Sequence, residues 1–225
     1  MPSYLYFDNH HTRTLPPEFQ ADDVRYTDAL VAHFLTAFTH PHDVVFDPFA
    51  GFGTTLIVAE AMQRVAFGIE SDAARVGYVR SLLAHPERMI HGDTRDLLSY
   101  PLPGFDFSMT SIPYMTSDDP DNALTGSTAQ GGGYAGYLQD LRQIYRDMQR
   151  LMKPQARIVV EVANLRNAAG VTPLAWDVAH ILSTVLQFDG ETVICWDHYG
   201  YGYEHSYCLL FSQRPYVSPA AHDST

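Results

Sequence analysis

The sequence predicts an α/β domain built on a mostly parallel sheet. Short apolar runs alternate with segments of helical spacing along most of the 225 residues, the pattern of stacked βαβ units. Three of the runs end in an acid or a glycine turn, as strands do where they reach the ligand-binding edge of such a sheet. The last two runs have no helix between them and read as an antiparallel hairpin.

Residues 1–25 form a polar leader. From Tyr26 to Phe38, the side chains Leu30, Val31, Phe34, Leu35 and Phe38 recur at helical spacing, and Pro41 ends the run. Val44-Val45-Phe46 is a buried strand that breaks into Asp47-Pro48 and a glycine turn, and Thr54 to Ala61 has the composition of a helix. The second strand, Val65 to Ile69, ends at Glu70, and a helix follows from about Ala73 to Leu83 before Pro86. Met89-Ile90 leads into Gly92-Asp93, and Phe105 to Met109 leads into Ser111-Ile112-Pro113-Tyr114. The polar stretch Met115 to Gly133 is longer than an ordinary connection, a length typical of functional or mobile loops. Tyr134 to Met152 is a helix closed by Lys153-Pro154, Ile158 to Val162 a strand, and Pro173 to Gln187 a helix with proline in its first turn. Thr192 to Trp196 and Tyr207 to Phe211 make the closing hairpin. The expectation is a seven-stranded sheet in one domain over residues 26–213, with residues 214–225 as a tail.

Composition narrows the class. Hydrophobic residues make up 46% and charged ones 18%, the balance of a folded chain. No apolar run approaches the roughly 20 residues that cross a bilayer, and Met1 to His11 does not read as a signal peptide. Cys195 and Cys208 are too few for a disulfide framework, so a cytoplasmic location is expected. The formal net charge of −12 weighs against tight, unaided binding of a polyanion, which relies on a basic face.

The segment Asp47-Pro48-Phe49-Ala50-Gly51-Phe52-Gly53-Thr54-Thr55 carries the strongest chemical signal. Glycines after a buried strand allow a sharp turn and close approach to a ligand, and the next helix opens there with unpaired N–H groups. A glycine pair alone also serves ordinary strand-to-helix turns. Glu70 ends the second strand, where an acid can hold ribose hydroxyls, and Asp93 follows the third, placed for an amine-bearing ring edge. Either acid alone could be a helix cap; three polar signals at successive strand ends point to one ligand.

This segment closely resembles the S-adenosylmethionine (SAM) motif of the DNA amino-methyltransferases, which modify cytosine N4 or adenine N6. The resemblance spans roughly residues 26 to 213 and implies a Rossmann-like SAM-dependent methyltransferase. It implies a cofactor set of Asp47, Pro48, Phe49, Ala50, Gly51, Gly53, Thr54, Thr55, Glu70, Ser71, Asp93 and Thr94, with Glu70 at the ribose and Asp93 at the adenine. Asp47, Phe49, Gly51 and Gly53 take the methionine end. Ser111-Ile112-Pro113-Tyr114 resembles the catalytic tetrapeptide, which in that family reads Ser or Asp, Pro, Pro, aromatic. The segment Glu204 to Phe211 is similar to its last strands.

The tetrapeptide makes chemical sense. An exocyclic base amine is a weak nucleophile because its lone pair is delocalised into the ring. Acceptors aimed at its protons, Ser111 Oγ and the Ile112 carbonyl, draw that pair toward the methyl donor, while Tyr114 stacks on the flipped base. Serine in first position leans toward cytosine N4. Two departures stand out: Ile112 replaces the first proline, and the chain has no room for a separate target-recognition region. The acceptor expected is therefore nucleic acid, DNA before RNA, or a small amine, with a specificity partner protein or homo-oligomer supplying what is missing. RNA guanine N2 methylation, small-molecule amine methylation and a non-catalytic SAM-binding subunit stay as alternatives. A dehydrogenase is disfavoured because the three-glycine fingerprint is missing.

Other signals are weaker. His10, His11, His40 and His42 lack metal-site spacing, so no metal is expected. Gly131-Gly132-Gly133-Tyr134 is an anion cradle or a lid hinge. Asn164 faces the ligand edge or simply closes a turn. Tyr199, Tyr201 and Tyr203 form a stacking platform or are exposed hairpin aromatics, and Glu204 and His205 lie beside them. Arg75, Arg80, Arg88 and Arg95 form a local basic strip or a solvated face.

Overall fold

The computed structural model describes residues 1–125, 132–198 and 203–214. In chain order these are β1 (Tyr4–Phe7), α1 (Asp28–Phe38), β2 (Val44–Asp47), α2 (Thr54–Ala61), β3 (Val65–Glu70), α3 (Ala73–Arg80), β4 (Met89–His91) and β5 (Phe105–Ser111). There follow α4 (Gly133–Gln149), β6 (Met152–Val162), β7 (Leu165–Asn167), β8 (Gly170–Thr172), α5 (Leu174–Leu182), β9 (Gln187–Trp196) and β10 (His205–Ser212).

The main sheet runs β1-β9-β10-β6-β5-β2-β3-β4. Strands β4, β3, β2, β5 and β6 are parallel, and β10 runs antiparallel between β6 and β9. This is the Rossmann-like fold expected, with one correction. The sheet has eight strands rather than seven, because Tyr4–Phe7 of the leader pairs in parallel with β9. A four-residue strand of alternating exposure is too short to stand out from a polar leader by pattern alone.

Alternation on the strands builds two cores. On β10, Tyr207, Leu209 and Phe211 join the layer that holds Tyr137, Ile144, Leu174 and Val178 from α4 and α5. Cys208 and Leu210 turn to the opposite layer, with Leu30, Phe34, Leu56 and Val79 from α1, α2 and α3. Each such side chain taken out of water contributes roughly 1.5–3 kcal/mol, which clamps the sheet between helices and leaves its carboxyl edge to the loops.

Several boundaries differ from expectation. The fourth helix stops at Gln149, and the chain enters β6 at Met152, well before Ile158. The fifth stops at Leu182, and β9 begins at Gln187. Two short strands, β7 and β8, were not foreseen; the Asn167 side chain closes their turn by accepting from the N–H groups of Ala169 and Gly170. Residues 126–131, within the long polar connection and including Gly131, lie outside the described residues, as do Tyr199, Tyr201 and the tail beyond Arg214.

Candidate active site

The glycine loop leaves β2 with its geometry pinned from below. Asp47 is buried; one carboxylate oxygen accepts from the Phe49 N–H at 3.0 Å and the other from the Tyr26 hydroxyl at 3.4 Å. Tyr26 also bonds the Thr55 hydroxyl at the start of α2. Burial raises the Asp47 carboxyl to about 6, against the lowering effect of its hydrogen bonds to Thr110, Phe49, Thr55 and Tyr26. Gly51 and Gly53 both have positive φ, +51° and +75°, a conformation that L side chains avoid. A Cβ on Gly53 would also stand 2.5 Å from Val79 Cγ1.

Two strand ends complete the loop's surroundings. The Gly51 N–H donates to Glu70 Oε2 at 3.0 Å, while Glu70 Oε1 takes the Asp72 N–H at 2.8 Å. Asp93 accepts from the Arg95 N–H and pairs with its guanidinium at 2.5 Å. Its carboxyl is partly buried, which pushes it up, but the Arg95 hydrogen bonds outweigh that and hold it below the usual carboxylate range. Thr94 Oγ1 donates to the Pro48 carbonyl, tying the third strand end to the loop.

These groups border one cavity of about 560 Å³, a size suited to a nucleoside-sized ligand. Pro48, Phe49, Ala50, Gly51, Thr54, Glu70, Ser71, Asp93, Thr94 and the whole Ser111–Tyr114 tetrapeptide line it. Asp47, Gly53 and Thr55 do not; they shape the loop from behind. Leader residues Asn9, His11 and Arg25, together with Leu124 and Trp196, close the walls.

The tetrapeptide follows the end of β5, and its neighbour in the sheet is Glu161 of β6, in register with Ser111. Ser111 Oγ donates to Glu161 Oε2 at 2.9 Å, and the Tyr114 hydroxyl donates to the same oxygen at 3.0 Å. Glu161 is 2% exposed and lines the cavity. Sequence reasoning missed it, although an acid inside the apolar run Ile158 to Val162 was a usable signal, since charged side chains are rarely buried unless paired. Ile112 buries its side chain in the core, so apolar packing holds the loop where the family pattern has proline. The Pro113 carbonyl accepts from Tyr137 of α4 at 2.7 Å.

Of the weaker candidates, His11, Arg75 and Arg95 line the cavity. Asn164 accepts from the Ala175 N–H at 3.0 Å, the turn-closing role. The arginines make no shared strip: Arg75 lies over Phe52, Arg80 bonds the Met89 carbonyl, Arg88 lies over Phe67 and Arg95 holds Asp93. Arg166 covers the Tyr203 ring, and His205 bonds the Tyr207 hydroxyl. No His, Cys, Asp and Glu cluster among the described residues could hold a metal.

Residues 18–80 match the N6/N4 DNA methylase family model. The type II methyltransferase M.BglII of Bacillus subtilis is 30% identical over 76 residues, covering 34% of this chain and 19% of that protein. TrmN from Thermus thermophilus superposes with a TM-score of 0.60 at 17% identity, over 84% of this chain and 49% of that one. A TehB-like SAM-dependent methyltransferase from Corynebacterium glutamicum gives 0.55 at 12% identity, over 88% and 93%.

The chain has the Rossmann-like fold of SAM-dependent methyltransferases.

The cavity has the size and the polar lining to hold a molecule such as SAM. A Cβ on Gly51 would meet only the Phe49 carbonyl, at 3.9 Å, so the glycine leaves room on its ligand side. The carboxyl groups of Glu70 and Asp93 line the same cavity. The domain spans about half of TrmN and a fifth of M.BglII. No helix among the described residues is long and apolar enough to cross a membrane.

Proposed function

We propose that the domain transfers the methyl group of SAM to an exocyclic amine of a nucleobase, DNA cytosine N4 or adenine N6. The observation that carries this reading is the shared cavity of the glycine loop and the Ser111–Tyr114 tetrapeptide. The match of residues 18–80 to the DNA methylases supports it.

When bound, SAM supplies an activated methyl on a good leaving group, so the protein's task is mainly positioning. Asp47 and Tyr26 hold the loop, Glu70 takes the ribose hydroxyls and Asp93 the adenine amine. Ser111 Oγ and the Ile112 carbonyl accept the target amine's protons, and the Tyr114 ring lies against the base. Specificity comes from a partner protein, a second copy or the connection between β5 and α4.

The net charge of −12 and the carboxylate of Glu161 in the cavity favour one second reading, methylation of a small-molecule amine. Label transfer from tritiated SAM to unmethylated DNA, total RNA and a metabolite extract, with products resolved by mass spectrometry, tests both. N4-methylcytosine or N6-methyladenine in DNA is the expected product. Label only in RNA or in small molecules overturns the DNA assignment.

A further inference from the structure

Glu161 lies opposite Ser111 because β5 and β6 are paired in parallel at that register. One of its oxygens receives two hydroxyl hydrogens, from Ser111 and Tyr114, at 2.9 and 3.0 Å. Both hydroxyls donate and the carboxyl oxygen accepts. The Ser111 hydrogen points to Glu161. What Ser111 Oγ turns toward the cavity is lone-pair density, strengthened because a hydroxyl that donates to a carboxylate becomes a better acceptor.

We propose that Glu161 is the positioning residue that makes Ser111 an obligate acceptor toward substrate, and that it receives the proton released by methylation through Ser111. The inference rests on the amine reading above. An acceptor-only site admits a target that carries N–H hydrogens and disfavours a ring nitrogen or a carbonyl oxygen, whose lone pairs would face those of Ser111. The proton accounting closes. The amine nitrogen forms a bond to the methyl carbon as the carbon–sulfur bond breaks, leaving a protonated methylamine. That nitrogen passes one hydrogen to Ser111 Oγ as Ser111 passes its own to Glu161 Oε2. Ser111 ends unchanged, Glu161 ends as the acid, and it returns its proton to water after product leaves.

The charged and titratable groups around Glu161 are consistent with a local proton acceptor. Cys208 is its register partner on β10, and burial followed by the nearby Glu161 charge raises that thiol well above its usual value. Tyr26, behind the loop, is raised by burial and Asp47, with Glu161 adding to the effect. Both therefore stay neutral near pH 7 and offer no base, while Asp47, the second buried carboxyl, accepts from Phe49 and Tyr26 behind the loop.

Two arms test the proposal. In the first, Glu161→Gln, Ser111→Ala and the double variant are compared in single-turnover methyl transfer between pH 5 and 9, on the acceptor identified by label transfer. Glu161→Gln is expected to slow transfer about 100-fold, to leave the Kd for SAM within about twofold and to lose the fall in rate on the acid side. The double variant should be no slower than Ser111→Ala, because both residues act in one path. A Glu161→Gln rate near wild type with an unchanged pH profile, or additive losses in the double variant, overturns it. In the second, substrate-free arm, the glutamate carboxyl carbons are 13C-labelled and the Glu161 signal is identified by its loss in Glu161→Gln. Ser111→Ala should shift that signal and its titration; no shift overturns the proposed polarity. A wild-type protein that binds SAM, passes the second arm and methylates no amine refutes the function reading and the proton path while leaving the polarity intact.

Discussion

The Gly51 N–H and the Glu70 carboxylate are joined at 3.0 Å, linking the glycine loop of one βα unit to the strand end of the next. The loop's shape and the acid proposed to hold the ribose are therefore one structure. Glu70→Ala removes the proposed ribose acceptor and the loop's tether together. A loss of SAM affinity of about 10- to 100-fold is expected by calorimetry, given roughly 1.5–3 kcal/mol for a hydrogen bond to a charged group. Glu70→Gln, which keeps an acceptor oxygen, should recover part of it.

Gly53 is a stability position. Alanine there meets both a left-handed backbone at φ +75° and Val79 Cγ1 at 2.5 Å. Backbone strain costs about 1–2 kcal/mol and the clash adds to it, so thermal denaturation should fall by several degrees. Adding Val79→Ala should remove the clash but not the backbone strain; the Gly53→Ala penalty, measured against Val79→Ala alone, should then shrink without vanishing.

Asp47 couples stability to pH. Its folded value of about 6 lies above the ordinary 3.8. Between those values the unfolded chain is ionised while the folded one keeps its proton. Its contribution to folding thus falls as pH rises from about 4 to about 6, by about 2–3 kcal/mol in all. Asp47→Asn cannot ionise, so the stability difference between variant and wild type in urea melts should change over that window and stay flat above it. A difference independent of pH would exclude a raised Asp47.

Tyr114 separates ring from hydroxyl. Its hydroxyl is bound to Glu161 at 3.0 Å. Tyr114→Phe keeps the ring and is expected to slow methyl transfer about tenfold. Tyr114→Ala loses the stacking surface as well, worth roughly 1–3 kcal/mol per base on aromatic platforms, and should raise the apparent KM for a nucleobase acceptor. Equal effects of the two substitutions would argue that no base stacks there.

What the sequence by itself determined is the part of the protein made by near neighbours. A strand, a glycine turn and a helix start follow one another from Val44 to Ala61, and positive φ at Gly51 and Gly53 demands the residue type seen there. Glu70 and Asp93 were readable for the same reason: each closes its own short strand, and parallel strands bring such ends to one edge. The tertiary structure alone decided the rest. Tyr4–Phe7 becomes a sheet strand only through β9, whose partner residues begin at Val193, and its short run has no local signature. Leader residues Asn9 and His11 reach the cavity by that route. Glu161 stands 50 residues from Ser111 and 47 from Tyr114, and only the pairing of β5 with β6 places its carboxylate under both hydroxyls. Local pattern reports backbone preference and burial; which polar groups meet across a sheet depends on register, and that is set by the packing of the whole domain.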